Sequence, residues 1–294
     1  MSYKINFGDL PQANSQLENS KIVILPVPYD GTSTWGKGAD KGPAAIIEAS
    51  ANMELYDIET DSEVYKKNIF TAEPVIEKGG PEKMVKKVKS AVSGFLSQEK
   101  FIVTLGGEHS VAVGAVQAYA EKFKNLSVLQ LDAHSDLRPE YQGSKYSHAS
   151  VMSRVRELCP IVQVGIRSMG VIEKPFIDKM RVFFAEKIYN KTSWQNQAIS
   201  KLTGKVYITI DLDVFDPGVL PSTGTPEPGG LGWYQVLDFL KKVIDKKDLV
   251  GFDIMELCPN KNDRASNFLA AKLVYKLLSY KYEILLLPDM RRRC

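Results

Sequence analysis

Residues 126–136, LSVLQLDAHSD, pass from an apolar run straight into Asp132, His134 and Asp136. A leucine- and valine-rich run with little polar alternation reads as a parallel strand buried on both faces, with its polar residues collected at the C-terminal end. Three more segments repeat the pattern: VTLGGEH (103–109), ITIDLDVFDP (208–217) and GFDIMEL (251–257). Strands are expected at 22–27, 101–105, 126–131, 161–164, 182–184, 206–210 and 249–254. Amphipathic stretches at 81–96, 111–123, 194–202, 233–244 and 265–278 are long enough to be crossover helices. This alternation predicts βαβ units. No repeat, low-complexity segment or composition break interrupts the chain, so residues 1–294 read as a single α/β domain. Ligands bind outside the carboxyl ends of the strands in such sheets. Four segments distant in sequence therefore point to one crevice.

Composition narrows the function classes. The 294 residues are 44% hydrophobic and carry a net charge of +3, the profile of a globular protein with interleaved acids and bases. Apart from Arg291, Arg292 and Arg293, no basic run suggests nucleic-acid binding. Cys159, Cys258 and Cys294 are far apart and odd in number, which fits a reducing compartment. The opening MSYKINFGDLPQ lacks the apolar core of a signal peptide, and no apolar stretch approaches a membrane span. The expectation is a cytoplasmic protein. There are three histidines, His109, His134 and His148, all within 40 residues of sequence.

The spacing of the polar residues points to chemistry. Side chains two apart on extended chain project to the same side, so Asp132, His134 and Asp136 can face one point, as can Asp211 and Asp213. His109 supplies a third approach. A single DxD or DxHxD is most often a turn or capping motif, and His134 or His109 alone could be a hydrogen-bonded buried imidazole. Together they form a set of four carboxylates and two imidazoles without thiolate. That set needs compensating positive charge and favours Mn(II) or another hard to borderline divalent cation over structural zinc. Six such side chains suit two ions, which could activate a bridging hydroxide for metal-assisted hydrolysis. Cys258 has no free histidine to act as its base and reads as packing. Trp35, in a glycine-rich loop, reads as core or as a pocket wall.

Across about residues 27–259 the sequence resembles the ureohydrolase family of arginases and agmatinases. The motifs that carry the likeness are GGEHS (106–110), DAHSD (132–136), SHAS (147–150), DLDVFDP (211–217) followed by TGTPEPGGL, and GFDIMEL (251–257). The resemblance implies a three-layer α/β/α fold with a mainly parallel eight-stranded sheet. It also implies two Mn(II) ions per subunit and hydrolysis of a guanidinium group to urea and an amine, by attack of a metal-bridging hydroxide. Carried over by motif, His109, Asp132, Asp136 and Asp211 hold one ion, and His134, Asp132, Asp211 and Asp213 hold the other. Glu256 pairs with the guanidinium, Asp213 passes a proton to the leaving amine, and His148 shuttles protons to solvent. A homo-oligomer, trimer or hexamer, is expected.

Within that family the segment 137–143, LRPEYQG, resembles agmatinases rather than arginases, which makes agmatine the first expected substrate. Glu140 could accept the substrate's distal amine or form an ion pair with Arg138. Ala149 and Ser150 depart from the glycine and threonine common in agmatinases, and N1-aminopropylagmatine is the main rival, followed by guanidinobutyrate and arginine. A zinc deacetylase, a two-metal phosphatase or a non-catalytic relative are the competing classes. Glu256 favours a cationic substrate over the phosphatase reading.

Overall fold

The computed structural model describes residues 5–283, and the arginine-rich end read above at residues 291–294 lies outside them. Eight strands form one sheet: β1 (Ile22–Val27), β2 (Ile69–Thr71), β3 (Phe101–Gly106), β4 (Leu126–Leu131), β5 (Ile161–Ile166), β6 (Val182–Phe184), β7 (Lys205–Asp211) and β8 (Asp248–Met255). Their order is β2-β1-β3-β8-β7-β4-β5-β6, and every pairing is parallel. The α-helices are α1 (Gly42–Ser50), α2 (Pro81–Ser97), α3 (Val111–Lys122), α4 (Val151–Val155), α5 (Ala185–Ile188), α6 (Ser193–Lys201), α7 (Trp233–Lys246) and α8 (Ala265–Glu283).

Alternation along the strands feeds two separate cores, which makes the fold three-layered. Ile22, Ile24, Val103 and Leu129 pack with Ile46 of α1, Trp194 of α6, Phe239 of α7 and Val274 of α8. Val23, Leu25, Ile102 and Val128 pack on the other face with Val88 of α2, Val116 of α3 and Met152 of α4. With both faces covered, the central strands need no polar side, and this is why they read as nearly unbroken apolar runs.

Chain order places the crevice. From β3 the chain passes over the positions later filled by β8 and β7 before it forms β4. The four polar-ended strands, β3, β8, β7 and β4, are thus adjacent at the centre of the sheet. Register does the fine placement: Leu131 pairs with Ile210, which brings Asp132 level with Asp211. Four elements were not anticipated from sequence: β2, α1 and the short helices α4 and α5. Strand β2 is a three-residue edge strand, and α1 begins within the glycine- and proline-containing segment GPAAIIEAS.

Candidate active site

The loop after β3 is drawn tightly against the loop after β1. Gly107 N donates to Val27 O at 2.9 Å and Glu108 N to Tyr29 O at 2.8 Å. A Cβ at Gly107 would fall 1.9 Å from Tyr29 O, so only glycine permits the approach. This carries His109 inward, where its Nδ1 lies 3.1 Å from Asp132 Oδ2, 3.2 Å from Asp136 Oδ2 and 3.3 Å from Asp211 Oδ2. Beside it, His134 Nδ1 is 2.8 Å from Asp213 Oδ2 and 3.7 Å from Asp132 Oδ1. Two potential metal-binding groups result, His109–Asp132–Asp211 and Asp132–His134–Asp213, sharing Asp132. All six side chains expected as ligands converge here.

A polar row runs beneath them. Register aligns Thr104, Asp253, Thr209, Gln130 and Gln163 across β3, β8, β7, β4 and β5, and all five are buried. Gln130 Nε2 donates to Asp132 Oδ2 at 2.7 Å, and Gln163 Nε2 holds Gln130 Oε1 at 2.6 Å. Thr209 Oγ1 donates to Asp253 Oδ1 at 2.7 Å, and Tyr207 donates to the other oxygen. With its one hydrogen so used, Thr209 accepts from His109 Nε2 at 2.9 Å. His109 Nδ1 is then left as a lone pair facing three carboxylates, buried and without a hydrogen-bond partner. Either a proton or a cation must occupy that point. Donor atoms about 2.1 Å from one ion and at right angles lie about 3 Å apart, close to the spacing found. The residues fit a divalent metal.

The electrostatics give the same answer. Burial, followed by Asp213 and Asp136, raises Asp132 to about 7. Burial, Asp213 and Asp132 push Asp211 well above the usual carboxylate range. Burial opposes charge on His134, but Asp213 and Asp132 raise it to about 11, and carboxylates likewise raise His109. Against burial, His134 holds Asp213 down to about 2. Protons thus supply the positive charge that the protein's own groups lack. Two ligand loops are further constrained by Arg167, whose Nη2 donates to Asp213 O and Glu227 O, each at 2.7 Å, while its backbone N reaches Ala133 O at 2.8 Å.

Above this cluster opens a cleft lined by Glu256, His148, Trp35, Arg138, Tyr141 and Ala149 among others. Glu256 Oε1 accepts from His109 N at 2.7 Å, and its φ of 64° lies in the left-handed region, as does the 52° of Asp136. Such backbone is uncommon outside glycine and gathers at functional sites. Burial, then Glu108, pushes the Glu256 carboxyl well above its ordinary value, so a cationic group beside it is favoured. His148 opens a one-turn 3-10 helix capped by Ser147, and burial pulls its pKa down, keeping the ring neutral at neutral pH. Trp35 is a cleft wall, 81% exposed, and not core. The Glu140 side chain is exposed and outside the cleft lining, and of its two readings the ion pair is corrected: Arg138 pairs instead with Glu173 at 3.6 Å while stacking 4.8 Å over Tyr141. Cys258 donates to Lys37 O, and burial raises its thiol, as a packing role requires.

The model of the arginase family matches residues 20–279. The chain belongs to the arginase family. It is a hydrolytic enzyme acting on guanidino compounds. It is 38% identical over 280 residues to the N(1)-aminopropylagmatine ureohydrolase of a Synechocystis strain, covering 92% of each chain. It is 33% identical over 282 residues to the agmatinase of Pyrococcus horikoshii, covering 94% of this chain and 97% of that one. The crystal structure of the agmatine ureohydrolase of Thermoplasma volcanium superposes with a TM-score of 0.85 at 31% identity, covering 97% of each chain. No helix among the described residues of this arginase-family chain is long and apolar enough to cross a membrane.

Proposed function

We propose that the protein releases urea from N1-aminopropylagmatine, leaving the corresponding amine. The higher identity to an N(1)-aminopropylagmatine ureohydrolase, 38% against 33% for an agmatinase, supports this substrate over the shorter agmatine. Ala149 in the cleft wall, where many agmatinases carry glycine, marks this chain's departure from the agmatine-like pattern. Agmatine remains the second reading, on the agmatinase-like segment 137–143 and the agmatinase relatives.

His109, Asp132, Asp136 and Asp211 would hold one manganese ion, and His134, Asp132, Asp211 and Asp213 a second. When bound, such a pair supplies Lewis acidity and water activated at neutral pH. The chain's own residues do the rest. Glu256, half-buried in the cleft wall, receives the planar guanidinium and fixes its carbon over the acid cluster. Asp213 takes a proton and delivers it to the nitrogen of the breaking C–N bond. The water oxygen ends in urea, and its protons end on the amine. His148, neutral and facing the cleft, exchanges protons with solvent. The same reading carries a homo-oligomer, a cytoplasmic location and a role in polyamine synthesis.

Urea release from the manganese-loaded protein, compared for N1-aminopropylagmatine, agmatine, guanidinobutyrate and arginine, tests it. The expected kcat/KM is highest for N1-aminopropylagmatine. Preference for agmatine would move the assignment to the second reading, and no urea from any of the four would reject both.

A further inference from the structure

We infer that Thr32 is a positioning residue for His148, fixing which ring nitrogen carries the proton and which faces the cleft as a base. The inference rests on the proton-shuttle role proposed for His148. Thr32 stands on the loop after β1, far in sequence from the SHAS turn, yet its Oγ1 lies 3.1 Å from His148 Nδ1 and accepts from His148 N at 2.9 Å. The same oxygen donates to Glu108 Oε2 at 2.8 Å. Glu108 is fully buried, and its oxygens also receive the Ser110 hydroxyl at 2.7 Å and the Ser110 N–H at 3.3 Å.

A hydroxyl has one hydrogen and two lone pairs. Both Glu108 oxygens accept, from Thr32 Oγ1 and from the Ser110 N–H and hydroxyl, so the Thr32 hydrogen is committed to Glu108. The two lone pairs then accept from the His148 backbone N–H and from Nδ1–H. In the neutral ring this leaves the lone pair on Nε2, the nitrogen away from Thr32. The tautomer suited to taking up a proton is thereby selected before substrate arrives. Tyr141 fixes the ring from another side, meeting it edge-on at 5.7 Å and 89°. The contact ties the GGEHS motif to the SHAS turn through a threonine that belongs to neither.

The test is a double-mutant cycle on the manganese-loaded full chain, reading urea release. Thr32→Val should lower kcat about tenfold with KM and bound metal unchanged, and Thr32→Ser, which keeps the hydroxyl, should recover most of that loss. In a His148→Asn background, Thr32→Val should lower kcat no further, because both changes disable one function. An equal fall in that background, or no recovery by serine, would overturn the inference, since a merely structural threonine behaves that way. A Thr32→Val enzyme as fast as wild type would also overturn it. If His148→Asn alone left kcat unchanged, the shuttle reading itself would fail, whatever Thr32 does.

Discussion

Among the described residues, two clusters of acids are neutralised in opposite ways. Behind α8, Lys276 Nζ lies 3.0 Å from Asp57 Oδ2 and 2.6 Å from Glu59 Oε2, and Lys241 meets the other Glu59 oxygen at 2.6 Å. Two lysines answer two carboxylates. Although burial opposes it, Lys241, Lys276 and Tyr280 hold Glu59 down to about 2. At the sheet's C-terminal edge, Asp132, Asp136, Asp211 and Asp213 face only two imidazoles, and Asp132 and Asp211 are pushed up instead. One cluster is complete as protein. The other, on the proposed reading, is a set of ligands whose charge is balanced by the metal it would bind.

Breaking the second cluster should have the largest effect. Asp211→Asn keeps the oxygen that accepts from Asp213 N at 2.9 Å but removes a shared negative charge. Urea release should fall by about a thousandfold or more. The metal-free protein should melt no lower than metal-free wild type, because a buried and repelled carboxylate has gone. Activity close to wild type would remove Asp211 from the site.

The first cluster should respond in the reverse sense. Lys276→Met leaves Asp57 buried without its cation and should destabilise the fold by about 3 kcal/mol, measured by denaturant unfolding. The kcat of the folded fraction should not change. A lowered kcat at unchanged stability would make the cluster functional and undo the contrast.

The pH slopes sharpen the comparison with smaller effects. Asp132 is raised from 3.8 to about 7, so the folded state binds the extra proton between those values. His134, raised from 6.5 to about 11, extends the same tendency upward. Stability of the metal-free chain should therefore decline as pH rises from about 4 to about 11, and saturating manganese should flatten the decline. Glu59 acts oppositely. Its stabilisation is present above 4.5 and is lost as pH falls toward about 2, and Glu59→Gln should remove that acid-side part alone. Thermal melts across pH, with and without metal, check both slopes.

Much of this was legible in the sequence because the candidate ligands gather at or just beyond the C-terminal ends of strands. Once the strands are read as parallel, Asp132, Asp211 and Glu256 must share an edge. Strand β2 carried no such signal: three residues, IFT, have too short a pattern to separate from a loop. The supporting row of Thr104, Asp253, Thr209, Gln130 and Gln163 was hidden differently. Each is a lone polar residue within an apolar run, and only the register shows that they align. Thr32 is an uncharged residue whose partners lie 76 and 116 positions away. Glu140 misled for the converse reason. Closeness in sequence to Arg138 suggested a pair, whereas Arg138 reaches Glu173 across the fold.

The most direct test of the central claim is a titration of manganese into metal-free protein, following urea release from N1-aminopropylagmatine. The account predicts no activity without metal and a plateau at two equivalents per chain. A plateau at one equivalent, or urea release unaffected by chelation, would contradict the paired reading of the six ligands.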